Sequence, residues 1–151
     1  MIEGVRTKSL IKHCDDRGYF AELLREDDAM FERFGQASQS MSYPGVIKAF
    51  HYHEHQDDIW HFASGNAQVV LHDLRRESPT FGQTDVHYLG EQNPCLLFIP
   101  RGVAHGYRVL GNMPAVIIYF TNTAYDPRNP DEHRIPYDDE SIGFNWQTKF
   151  R

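Results

Sequence analysis

The chain has 151 residues, 40% hydrophobic and 13% aromatic, which is enough for one domain with its own core and argues against a disordered chain. A net charge of -6 argues against a nucleic-acid backbone as the main partner, because phosphate neutralisation needs clustered Lys and Arg. No apolar run is long enough to span a bilayer, and the opening MIEGVRTKSL lacks a signal-peptide core.

In chain order, the first turn signal is Asp16-Arg17-Gly18, and Cys14 just before it is one of two cysteines, with Cys95. Two thiols make no disulfide framework, so free thiols in a soluble cytoplasmic protein without membrane attachment are expected. Asp27 to Arg33 reads as the one short helix: Asp27 or Asp28 can cap it, and Met30, Phe31 and Phe34 follow at helical spacing. From there on the chain reads as strands. Val46 to His53, Ile59 to Ala63, Ala67 to Leu71, Leu96 to Ile99 and Ala115 to Thr121 are rich in β-branched and aromatic residues. Between them recur Tyr43-Pro44-Gly45, Ser64-Gly65-Asn66, Ser78-Pro79, Asn93-Pro94, Pro100-Arg101-Gly102 and Gly111-Asn112. Short strands with frequent turns predict an all-β antiparallel sandwich or barrel, a single domain over residues 1–151. The polar tail after Tyr125 ends in Ile142-Gly143-Phe144-Asn145-Trp146, which is expected to dock back on the barrel.

His51 and His53 are two apart, so on a strand both imidazoles point to one face. Asp58 follows where a return strand would begin, and His105 lies just past the Pro100-Arg101-Gly102 turn. Three imidazoles and a carboxylate converging in a small barrel can grip a metal, move protons, or both. His61 has the opposite parity from Asp58 and is expected to face away. His55 falls in a turn, and His13, His72, His87 and His133 read as surface or satisfied core residues.

Gly45, His51-x-His53, Asp58 and Gly65 resemble the first signature of the cupin superfamily, and Pro100 to His105 resembles the start of its second. That resemblance implies a double-stranded β-helix, the jelly-roll barrel, with a divalent metal on His51, His53, Asp58 and His105 as one possibility. Further blocks resemble the dTDP-4-dehydrorhamnose 3,5-epimerase family. They are Asp15 to Glu22, Gln36 to Ser40, Val46 to His51, Asp73-Leu74-Arg75 with Glu77 to Gly82, Ile99 to Gly106, and Tyr119, Thr121 and Tyr125.

Members of that family epimerise a nucleotide-linked 4-keto-6-deoxy sugar at C3 and C5, without a required cofactor. The ketone acidifies the protons on both neighbouring carbons, so a base can remove one and an acid across the ring can return another. The resemblance implies His51 as base and Tyr119 as acid. It implies Arg17, Gln36, Lys48 and His105 as substrate-binding residues, a nucleotide-sugar partner and a homodimer that exchanges edge strands. Surface polysaccharide biosynthesis is the implied setting.

Several positions depart from the family. Asp58 stands at a usual Lys, His53 at a usual Gln, Lys48 at a usual Arg and Ala124 at a frequent aromatic. The family's C-terminal Asp that orients the base has no counterpart within these 151 residues. His53 and Asp58 together complete the cupin ligand set, which leaves a fork. Without metal, His51 is the base and Asp58 supports it. With metal on all four residues, Tyr119 or another group must shuttle the proton. The alternatives are a metal-dependent ketoisomerase and a sugar-nucleotide binder without catalysis.

Overall fold

The computed structural model describes residues 1–149. Its strands in chain order are β1 (Arg6–Ser9), β2 (His13–Asp15), β3 (Gly18–Phe20), β4 (Gln36–Ser42), β5 (Ile47–Tyr52) and β6 (Asp58–Ser64). They continue as β7 (Asn66–Asp73), β8 (Thr84–Gly90), β9 (Cys95–Ile99), β10 (Val103–Leu110), β11 (Ala115–Thr121) and β12 (His133–Arg134). One antiparallel sheet has the order β1-β9-β6-β11-β4 and the other β12-β5-β10-β7-β8. The two sheets form the jelly-roll barrel. Among the described residues, β2 and β3 pair only with each other.

Alternation along the strands explains the layering. Trp60 and Phe62 on β6, Val69 and Leu71 on β7, Leu97 and Ile99 on β9, and Val103 and Tyr107 on β10 all join the central core. The opposite faces are covered as well. Ile59, Leu96 and Phe98 pack outward against Leu10 and Met30, whereas Phe50, Val70 and Ala104 pack outward against Trp146. That double coverage is why β7 and β9 read as continuous apolar runs instead of alternating ones. The tail docks as expected: Trp146 is buried and its Nε1 donates to the Tyr137 carbonyl at 2.9 Å.

The helix expected over Asp27 to Arg33 does not form, and the described residues contain no helix. Two successive turns take its place, with Asp28 N bonded to Arg25 O and Phe31 N to Asp28 O. The reason is the use made of Asp28. Its carboxylate accepts from Lys8 Nζ at 2.7 Å and reaches back to Arg25 N at 2.8 Å, so it caps no following helical turn. Met30 fills a core position from this loop.

One glycine sets the geometry of the site. β10 carries a register irregularity against β5 between His105 and Tyr107, at Gly106. A Cβ on Gly106 would lie 2.3 Å from Ala49 Cβ and 2.8 Å from Lys48 O. Only a bare Cα lets β5 come close enough for His51 to face His105 in register.

Candidate functional site

A cavity of about 910 Å³ opens among β4, β5, β6 and β11, closed on one side by residues 123–134. Its volume suits a ligand larger than a monosaccharide. His51 reaches it from β5 in one sheet, and Tyr119 reaches it from β11 in the other. Gln36, Lys48, His53 and Asp58 also line it. His105 is fully buried directly behind, with its ring centroid 4.5 Å from that of His51.

The imidazoles are held by identifiable contacts. His105 Nδ1 faces the Val103 carbonyl at 2.9 Å, and His53 Nδ1 faces the Asp131 carbonyl. A carbonyl only accepts, so both Nδ1 atoms carry a proton, and each Nε2 is turned toward Asp58. Each Nε2 lies 3.7 Å from an oxygen of Asp58. Asp58 is buried and anchored, accepting from Gln56 Nε2 at 2.8 Å and Trp60 Nε1 at 3.1 Å. Among the described residues, His105 Nε2 has no hydrogen-bond partner.

The ligand atoms of His53, Asp58 and His105 all fall within 4.8 Å of one another. This convergent set is narrower than the four residues named from the sequence, because His51 is outside it. His51 Nδ1 instead lies 3.8 Å from Glu132 Oε1. Burial pushes the pKa of His51 down to about 3, helped by the neighbouring His105 and His53 rings. It is therefore neutral near pH 7 and able to accept a proton. Burial likewise pushes His105 down to about 3, with His53 adding to the effect.

The other candidates are distributed as follows. Gln36 Oε1 accepts from Tyr125 N at 3.0 Å, and Lys48 Nζ donates to Ser40 Oγ at 3.0 Å on the cavity wall. Arg17 is elsewhere. It lies at the β2–β3 turn, pairs with Asp15, and has a side chain 84% exposed, away from the cavity of its own chain. His61 faces away, as its parity predicts, and its Nδ1 lies 3.4 Å from the Cys95 carbonyl.

Three residues of the site escaped sequence reasoning. Trp60 backs the cluster, its ring centroid 5.0 Å from that of His105, and its place after Asp58 with matching parity was the available signal. Asp131 binds the backbone N–H groups of Glu54, His55 and Gln56 at 2.8, 2.8 and 3.0 Å. Burial alone would raise the Asp131 pKa, but those N–H groups and the His53 ring together hold it below the usual carboxylate range. Glu132 had no sequence signal, because the strand that places it is two residues long.

Comparison with known proteins fits this geometry. The profile of the dTDP-4-dehydrorhamnose 3,5-epimerase family matches residues 1–151. The spore coat polysaccharide biosynthesis protein SpsL of Bacillus subtilis is 68% identical over 100% of this chain and 100% of its own length. The dTDP sugar isomerase of Desulfovibrio desulfuricans G20 superposes with a TM-score of 0.90 at 30% identity, covering 96% of this chain and 92% of that one. The Legionella pneumophila dTDP-6-deoxy-D-glucose-3,5-epimerase, solved in complex with dTDP-4-keto-L-rhamnose, gives a TM-score of 0.84 at 30% identity, covering 96% and 79%.

Proposed function

Because this chain belongs to the dTDP-4-dehydrorhamnose 3,5-epimerase family, we propose that it inverts the stereocentres beside the ketone of a nucleotide-linked 4-keto-6-deoxy sugar. It is an isomerase, and its relatives place it in polysaccharide biosynthesis. The observation that carries the catalytic assignment is the entry of His51 and Tyr119 into one cavity from opposite sheets.

A sugar lying between them has a base on one face and an acid on the other. His51 takes the proton from the carbon beside the ketone, and the electrons of that C–H bond form the enolate. Tyr119 donates its hydroxyl proton to the other face of the same carbon, and the centre is inverted. His51 then carries one proton more and Tyr119 one fewer, and exchange with water resets both. Gln36 and Lys48 are assigned to the nucleotide and diphosphate.

The cavity wall of a single chain is poor in positive charge for a diphosphate. Lys48 and Arg134 are its cations, against Asp58, Asp126, Asp131 and Glu132. Arg17 supplies the missing charge when the β2–β3 arm of a second copy reaches this cavity, which makes the active species a homodimer. The arm fits that use: it pairs with no other strand and leaves Tyr19 and Phe20 exposed. A cytoplasmic setting accords with the free thiols Cys14 and Cys95. Among the described residues, no helix is long and apolar enough to cross a membrane.

The unpartnered His105 Nε2 favours a second element in this reading. Two imidazole nitrogens and a carboxylate converge within 4.8 Å of one another, an arrangement that fits a divalent cation. His53, Asp58 and His105 would hold it, and it would supply Lewis-acid polarisation of the ketone oxygen, compensating for Asp58 at the position of a lysine. His51, outside the set, remains free to act as base.

Incubating the protein with a nucleotide-linked 4-keto-6-deoxy sugar in deuterated water tests the activity. Deuterium at C3 and C5 with inverted product is expected. Tight binding without deuterium uptake would make the protein a binder, and a shifted carbonyl would make it a ketoisomerase.

A further inference from the structure

We propose that Glu132 is the positioning residue for His51, holding its Nδ1–H so that Nε2 is the atom that takes the substrate proton. This rests on the epimerase reading above and assigns a role to a residue that the family resemblance does not mark.

The placement follows from strand register. β12 pairs with β5, with Arg134 opposite His51 and His133 opposite Tyr52. Alternation then turns Glu132 and Arg134 to the cavity, while His133 turns outward and stacks on Tyr52 with centroids 4.9 Å apart. Glu132 is thus the diagonal neighbour of His51, a separation that a long side chain bridges. Its Oε1 lies 3.8 Å from His51 Nδ1. That distance is longer than a hydrogen bond, as is common before a ligand closes a site.

The backbone around Glu132 is pinned on both sides. Phe50 and Ile135 exchange two hydrogen bonds, at 2.8 and 2.9 Å, on one side. Asp131 binds three backbone N–H groups on the other. The rival carboxylate, Asp58, is already engaged by Gln56 and Trp60 and faces the other two imidazoles. Glu132 Oε1 accepts no hydrogen bond among the described residues, and Oε2 has only a long contact of 3.5 Å with Arg134. A carboxylate beside Nδ1 fixes the tautomer, stops ring rotation and offsets the charge that His51 gains on protonation.

The test combines nitrogen NMR of the labelled full chain with kinetics of Glu132→Gln and Glu132→Asp. In the native protein, His51 is expected protonated at Nδ1, and Glu132→Gln is expected to give a mixture of tautomers. The kcat of Glu132→Gln is expected to fall about 100-fold with KM little changed, and Glu132→Asp to recover part of the loss. Deuterium uptake into substrate should fall in step with kcat. A native His51 protonated at Nε2, or a Glu132→Gln variant with native kcat, overturns the proposal and leaves the epimerase reading standing. A native protein that exchanges no substrate proton sinks the epimerase reading, and the role of Glu132 with it.

Discussion

The Nε2 atom of His105 lies 3.7 Å from Oδ2 of Asp58 and has no hydrogen-bond partner among the described residues, although the histidine is fully buried. An unsatisfied buried nitrogen costs roughly 1–3 kcal/mol, so something must offset it. Here a second imidazole nitrogen, His53 Nε2, faces the same carboxylate at 3.7 Å.

A metal-stripped chain dialysed against zinc, nickel or manganese is therefore expected to take up about one ion per chain, and both His105→Ala and Asp58→Ala are expected to lose it. His51→Ala is expected to bind as the native chain does, because His51 lies outside the convergent set. Elemental analysis of the dialysed samples reads this out. No uptake by the native chain would remove the cation from the mechanism.

Tyr119→Phe separates the two proton transfers. Removal by His51 survives, so substrate incubated in deuterated water still exchanges its acidic protons. Delivery from the opposite face is lost, and inverted product is expected to form about 100-fold to 10,000-fold more slowly. Mass spectrometry of recovered substrate beside chromatography of product distinguishes the two. Equal loss of exchange and inversion would mean that Tyr119 acts earlier than protonation.

Mixing variants tests the arm. An Arg17→Ala chain and a His51→Ala chain should each be inactive alone. If the arm serves the neighbouring copy, a mixed dimer contains one site with both lesions and one with neither. Activity is then expected to appear on co-refolding. If it does not, Arg17 serves no cavity across a dimer interface.

Stability should show an acid limit set in part by Asp73. Burial alone would raise its pKa, but hydrogen bonds from Arg75, Ser78 and Thr80 outweigh that and hold it well below the ordinary carboxylate range. A folded-state pKa below the unfolded one contributes stability above the unfolded value of about 3.9, lost as pH falls through the folded value. Asp73→Asn is expected to cost about 3 kcal/mol at neutral pH, and the gap to the native chain should shrink in acid below about pH 3. Urea unfolding at both pH values measures it.

Removing the clasp on the second sheet gives the last expectation. Trp146→Ala strips the cover from Phe50, Val70 and Ala104 and is expected to cost about 3–5 kcal/mol. Because Phe50 precedes His51, substrate affinity should weaken along with the melting temperature.

Much of the barrel was legible because β5, β6, β7, β9 and β11 carry the β-branched and aromatic residues that a half-buried pleat favours. β4, sequence QASQSMS, is small and polar, and only its pairing with β11 makes it a strand. Asp27-Asp28 looked like a helix start because propensity does not see Lys8, twenty residues earlier, claiming Asp28. The imidazoles and Asp58 were legible through parity and turn spacing, but the division between His51 and the other two was not. That division depends on where each Nδ1 finds a partner, and those partners come from Val103, Asp131 and Glu132.

The absent methyl group at Gly106 has a consequence for anyone wishing to transplant this centre. Copying the histidines and acids into another sandwich would leave them too far apart unless the recipient also narrows the gap between those two strands. The smallest residue in the barrel is thus part of the blueprint for the cavity that His51 and Tyr119 share.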